Sequence, residues 1–301
     1  MEKLPHGFQV MAIMQDRIPA LAATIARMQS ADSIQAAETA MKAAGGMGGG
    51  SQTTGGAVAV VRARGFVVQH GSPYDDFFGL LSVDSLANSM RSLASDPNVS
   101  TVILDWDSPG GYSSGVEELS DAIYAMRGTK RVVSVVNTLM ASAGYWIGSA
   151  ASEIVAMPSS YTGSIGTYIA HVDMSAVYAA AGIKVTLITA GKYKAEWDDS
   201  QPLSDEAKAF TQKAVDDNYA KFVGNVARNR GVKISEVLAN YGQGRVFSAD
   251  DAVKSGMADR IGTLDETVSR EVAALAKKRS IGMTAEHARR KLALLNLTRH
   301  Y

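Results

Sequence analysis

TVILDWDSPGG, residues 101–111, joins an apolar run to a turn built from proline and two glycines. The run TVILDW (101–106) is rich in β-branched and aromatic residues and ends at turn residues, so it predicts a buried strand. Working outward, AVAVV (57–61) and GFVVQ (65–69) predict short strands, and residues 82–95 a helix that stops before Asp96-Pro97. Beyond the turn come a helix over 114–126, a strand RVVSVV (131–136), an apolar helix over 142–151 and a strand EIVAMP (153–158). Strand and helix alternate, which predicts an α/β domain whose largely parallel strands are covered on both faces. KVTLITAG (184–191) predicts one more strand. Ser204-Asp205-Glu206 opens a long helix to Asn229, and residues 248–254 form a short helix closed by Gly256.

Four regions follow from this pattern. Residues 1–44 form a helical N-terminal arm, with two short helices between Ala20 and Ala44 broken near Ser30–Ser33. Residues 45–56, within AGGMGGGSQTTGG, are too small and polar to bury and predict a flexible linker. Residues 57–270 are the main domain. The final stretch, 271–301, carries seven Lys or Arg against two Glu and predicts a basic C-terminal tail, either a solvated helical extension or a dock for an acidic partner.

Composition excludes whole classes. With no cysteine in 301 residues there is no disulfide framework, zinc ribbon or thiol nucleophile. Thirty basic against thirty acidic side chains leave no net charge to draw the protein to nucleic acid or an anionic membrane. The N-terminus has no apolar core of a secretory signal, and the longest uncharged run, 132–152, is diluted by serine, glycine and asparagine. A cytoplasmic protein without a membrane anchor is expected.

Small polar clusters at the strand ends are where α/β folds place their chemistry. In Asp107-Ser108-Pro109-Gly110-Gly111 the glycines let backbone amides approach a ligand, although a plain turn reads the same way. In Met140-Ala141-Ser142-Ala143-Gly144 a serine stands at a helix N-terminus, as a nucleophile or as an ordinary N-cap. Thr162-Gly163-Ser164 and Gly191-Lys192-Tyr193-Lys194 add a hydroxyl and two lysines. A lysine serves as general base only when burial or a neighbouring cation lowers its pKa. Among five histidines, His6 and His300 lie in the ends, His287 in the basic tail and His70 after a strand. His171 alone comes from the apolar region, so a Ser142, His171, Asp107 triad competes with a serine-lysine pair.

The segments DWDSPGG (105–111), MASAGYW (140–146), TGSIG (162–166), GKYK (191–194) and FSADDAVKSGMADRIG (247–262), in that order, resemble the motif series of the S49 peptidases, the signal-peptide-peptidase A type. The resemblance covers roughly residues 57–265. It implies a ClpP/crotonase-like fold of repeated ββα units and a serine-lysine dyad with no metal or organic cofactor. Carried over by position, Ser142 matches the nucleophile, Lys194 the general base, and Ser164 the hydroxyl that orients it. The amides of Gly110, Gly111 and Ala143 match the oxyanion hole, with alanine at 143 where bacterial members commonly have glycine.

Within the family the likeness is closer to the head-maturation, or capsid-assembly, proteases of tailed phages, and it includes the opening LPHGF (4–8). It implies polypeptide substrates such as scaffold and capsid proteins, a host-cytoplasm or procapsid location, no fused scaffold segment, and a homo-oligomer whose subunits sometimes complete each other's sites. The arm at 20–44 would then pack on a neighbour or fold back on its own domain, and its tether is a region open to self-cleavage. Three other readings remain. They are a cytoplasmic bacterial protease of the same type, a crotonase-like thioester enzyme, and a non-catalytic shell component that keeps the fold.

Overall fold

Thr101–Ser108 runs through the middle of the larger of two sheets in the computed structural model, which describes residues 11–43, 52–54 and 57–297. Its parallel neighbours are Val58–Arg64 on one side and Arg131–Ala141 on the other. Past Arg131–Ala141 the sheet divides. The first half of that strand pairs with Glu153–Ala156, which in turn pairs with Arg260–Ile261, while its last residues pair with Tyr161–Gly163. Antiparallel edges close the two ends, Gln52–Thr54 beside Val58–Arg64 and Val246–Ser248 beside Tyr161–Gly163.

Both faces of this sheet are covered, as its unbroken apolar strands require. On one face pack the helices Val83–Ser95, Val116–Met126, Ala143–Gly148 and Asp205–Arg230. On the other, Val58, Ile103, Val133, Val135 and Val155 meet Leu264, Val268, Val272 and Leu275 of the helix Leu264–Leu297. The helix starts follow their side chains: Ser82 accepts from the Ser85 amide, Ser204 from Ala207 and Ser248 from Asp251.

At Pro109 the central chain leaves the large sheet for a second, four-stranded one ordered Met11–Ile13, Gly110–Tyr112, Phe66–Val68, Leu80–Ser82. A register shift between Trp106 and Ser108 marks the corner. The SPGG turn is thus a hinge between two sheets.

Four expectations are corrected. KVTLITAG (184–191) forms no strand. Val185, Leu187 and Ile188 are exposed, Ile188 at 95%, and with no facing strand among the described residues an isolated extended segment has nothing there to pair with. Gln52–Thr54, placed in the linker, is a strand; the rest of 45–56 apart from these residues lies outside the described residues. The boundary at 270/271 cuts through the helix Leu264–Leu297, and because Val272 and Leu275 pack on the sheet, the tail begins as part of the domain. The arm contains a strand, Met11–Ile13, that periodicity did not disclose. Its helices, Ile18–Met28 and Ala31–Ala43, break where expected and fold back on their own domain, with Ala37 buried against Phe78 and Leu80.

Candidate active site

Ser142 stands between the strand Arg131–Ala141 and the helix Ala143–Gly148. All six residues of that helix are buried, because Trp146 stacks on Phe222 at 4.6 Å and Tyr145 donates to the Met257 carbonyl at 3.0 Å. Gly148 packs so closely on Met140 that a Cβ there would sit 2.2 Å from the sulfur. A short helix pinned this tightly fixes the direction of its first residue. The chain enters it through a sharp turn that puts Ser142 at φ 55°, ψ −120°, a region costly for any residue with a Cβ.

Two hydrogen bonds hold the strained residue. The Ser142 amide donates to the Gly163 carbonyl at 2.8 Å, and its carbonyl accepts from Trp146 N–H at 2.9 Å. The side chain is left over. Ser142 is fully buried and its Oγ has no hydrogen-bond partner, so it stands at the N-cap position without capping the helix through its side chain. A buried hydroxyl without a partner costs free energy unless something else supplies one.

The glycine corner lies against this serine. A Cβ built on Gly110, at φ 91°, would stand 2.8 Å from Ser142 Cβ and 3.0 Å from the Ala143 nitrogen. Gly110, Ser142 and the first amide of the helix therefore meet at one point. First-turn amides have no acceptor within their helix, and that of Ala143 carries the partial positive charge of the N-terminus. The Gly110 amide donates to Ser108 Oγ at 3.2 Å, and Ser108 Oγ donates to the Gly65 carbonyl at 2.7 Å. Gly111 lies against Val67, where any side chain would strike the Val67 backbone.

Ser164 follows the strand Tyr161–Gly163, nine-tenths or more buried, at φ 54°, with its amide donating to the Arg245 carbonyl at 2.7 Å. Since Gly163 accepts from Ser142, the two serines sit on hydrogen-bonded turns. Lys194 is exposed and does not bond Ser142 Oγ, so the chain brings the serines together and leaves the lysine apart. Lys192 is exposed, donating to Glu206 at 2.8 Å and to the Tyr193 hydroxyl at 3.0 Å.

The triad alternative is not assembled. His171 Nε2 lies 3.4 Å from the Asp198 carbonyl and its ring packs edge-on to Trp197, while Ser142 Oγ is unpaired. Burial raises the Asp107 carboxyl above its ordinary range, with Arg64 opposing, and its main-chain carbonyl accepts from Gly65. His6 and His300, with LPHGF (4–8), lie outside the described residues.

Sequence reasoning missed two contributors. Ser108 braces the corner, and Arg245 holds Ser164 through its carbonyl. Ser108 was inside the quoted SPGG turn; a backbone contact from residue 245 leaves no trace in side-chain identity.

Among the described residues no group of three or more His, Asp or Glu is placed to hold a metal ion, and no helix is long and apolar enough to cross a membrane.

The site is thus a buried serine on a strained strand-to-helix turn, beside a glycine corner and the opening amide of a buried helix, in a mixed α/β protein. A sequence profile described as peptidase family S49 matches residues 125–278, more than half of the chain, and the chain belongs to that family. It is 29% identical over 233 residues to the capsid assembly protease C of Escherichia phage lambda, covering 76% of this chain and 53% of that protein. The head-tail preconnector protein GP5 of Enterobacteria phage P21 is 28% identical over 212 residues, 70% of this chain and 42% of the relative. Protease 4 of Salmonella typhi is 30% identical over 225 residues, 74% and 35%. The chain thus spans between a third and about half of these relatives' length. Among solved structures, a point mutant of ClpP1 from Listeria monocytogenes aligns over 68% of this chain and 92% of its own, with a TM-score of 0.43 and 15% identity.

Proposed function

We propose that the chain is a serine endopeptidase in which Ser142 attacks the peptide carbonyl and Lys194 is the general base. The observation that carries this reading is the buried, unpaired Ser142 hydroxyl on a strained turn, since strain and an unsatisfied group are retained where chemistry uses them. Lys194 takes the proton of Ser142 Oγ as the C–O bond forms, and the negative charge on the carbonyl oxygen falls to the Ala143 amide and the glycine corner of Gly110 and Gly111. The lysine then gives its proton to the leaving amine, and an activated water releases the acyl group from Ser142. Ser164 orients the lysine, as in the family pattern. The reading calls for no metal or organic cofactor.

Lys194 reaches this site from a neighbouring copy. Supporting this are its exposure in the single chain and the segment that precedes it, where Val172, Val177, Ile183, Val185, Leu187 and Ile188 are all more than two-fifths exposed. Such a surface calls for a partner, and a second copy is the nearest one available.

The name of the phage lambda relative, a capsid assembly protease, supports capsid-related substrates; by the family resemblance these are scaffold and capsid proteins, cut in the procapsid or the host cytoplasm. The test is co-expression of the chain, Ser142→Ala and Lys194→Ala with candidate capsid and scaffold proteins, with every product weighed by intact mass. Products made by the parent chain and lost in both variants are expected. Cleavage surviving in Lys194→Ala would return His171 as the base, and intact chains throughout would leave a shell component without activity.

A further inference from the structure

The strand Met11–Ile13 lies beside the glycine corner that abuts Ser142. On one edge it pairs antiparallel with the glycine corner, Met11 opposite Tyr112, Ala12 opposite Gly111 and Ile13 opposite Gly110. On the other edge Met11 exchanges two hydrogen bonds of 3.0 Å with the backbone of Tyr168, and beyond the strand Met14 N–H donates to the Pro109 carbonyl at 3.1 Å. The Ala12 carbonyl oxygen lies 2.2 Å from the point where a Gly110 Cβ would stand, the same point that Ser142 Cβ and the Ala143 nitrogen approach to within 3.0 Å. Downstream, Met14 and Asp16 line one depression with Ser164 and Arg245. Ala12 and Ser142 are both fully buried.

An extended segment held by backbone bonds along both edges, with one carbonyl packed at the corner that Ser142 Cβ and the Ala143 nitrogen also approach, has the geometry by which a sheet edge takes up a peptide. The segment is three residues long and held largely by its main chain, so any extended polypeptide could satisfy the same edges. We propose that Met11–Ile13 is an internal pseudosubstrate: it fills the groove in which a polypeptide substrate lies across Ser142, and substrate enters only when it leaves. This rests on Ser142 being the reactive serine. A strand in place for about 99% of the time lowers apparent substrate affinity about a hundredfold, because only the open fraction binds.

The test uses the absence of cysteine from the chain. In the full chain carrying Met11→Cys and Tyr112→Cys, the two thiols are the only ones present and stand directly opposite in register, so oxidation locks the strand and reduction frees it. With Ser142→Ala added, binding of a fluorescein-labelled peptide FQVMAIMQD, a copy of residues 8–16, is followed by anisotropy. Reduced protein is expected to bind at least about tenfold more tightly than oxidised protein. Equal binding in both states, or binding in neither, overturns the proposal. On the Ser142 background, Ala12→Arg, too large for its buried place, is expected to speed labelling by a fluorophosphonate about tenfold, while the oxidised pair blocks it. Peptide binding that follows the lock while no variant accepts the fluorophosphonate would remove the serine-hydrolase reading and keep the groove.

Discussion

At Ser142 the backbone and the side chain make opposite demands. Its φ of 55° suits glycine, and its buried Oγ has no partner, so stability alone would favour a residue without a side chain. Ser142→Gly is therefore expected to raise unfolding stability by about 1 kcal/mol in urea denaturation while abolishing cleavage, a trade that ordinary core serines do not show. Gly110 makes the complementary case. Gly110→Ala drives a methyl group against the Ala12 carbonyl and Ser142 Cβ in a left-handed conformation. It is expected to lower stability by about 2 kcal/mol and to slow fluorophosphonate labelling of Ser142, read by thermal unfolding and gel fluorescence.

Among the elements, the helix Leu264–Leu297 is tied to the sheet by charge as well as by apolar contact. Glu153, at the start of its strand, accepts from Arg260 at 2.8 Å and from Arg270 at 2.7 Å, and also pairs with Arg131, which reaches Glu271 on the helix. Burial alone would push the Glu153 carboxyl up, but the hydrogen bonds of Arg270 and Arg260 and the field of Arg131 outweigh it and hold the pKa down at about 2. Because the folded value lies below the unfolded one, this contribution is fully present above the unfolded pKa of about 4.5 and is lost as pH falls from there toward 2. Glu153→Gln is expected to cost about 2 kcal/mol at pH 7 and to flatten the fall in stability across that acid window, measured by urea unfolding at stepped pH.

For the whole molecule, the segment between the strand Tyr161–Gly163 and the helix Asp205–Arg230 departs from the rest. It holds one short helix, Ser175–Ala180, no strand, and a row of exposed aliphatic side chains ending in Ile188 and the lysine pair. If copies complete one another's sites here, Ile188→Glu is expected to shift sedimentation toward the single chain and to reduce cleavage together with it. Adding Ser142→Ala protein to Lys194→Ala protein is expected to restore part of the activity that each lacks, because one supplies the lysine and the other the serine. Loss of assembly with full activity would place the dyad within one chain.

Features that local chemistry controls are written in the residues themselves. TVILDW and RVVSVV carry the strand signal in their side chains, and Ser82, Ser204 and Ser248 cap helices through their own hydroxyls, so the alternating α/β order was legible residue by residue. Ser142, Ser164 and the glycine corner were visible as small polar residues after strands. Only the tertiary structure decided their conformation, since the positive φ of both serines is forced by packing around them: the fully buried helix after Ser142, and the Gly163 and Arg245 contacts. The same holds for two of the readings that the fold corrected. KVTLITAG has strand-forming residues but no neighbour to bond, and Met11–Ile13 has no pattern of its own but finds two edges. A strand is stabilised mainly by its partners, and partners are set by the fold of residues far away along the chain.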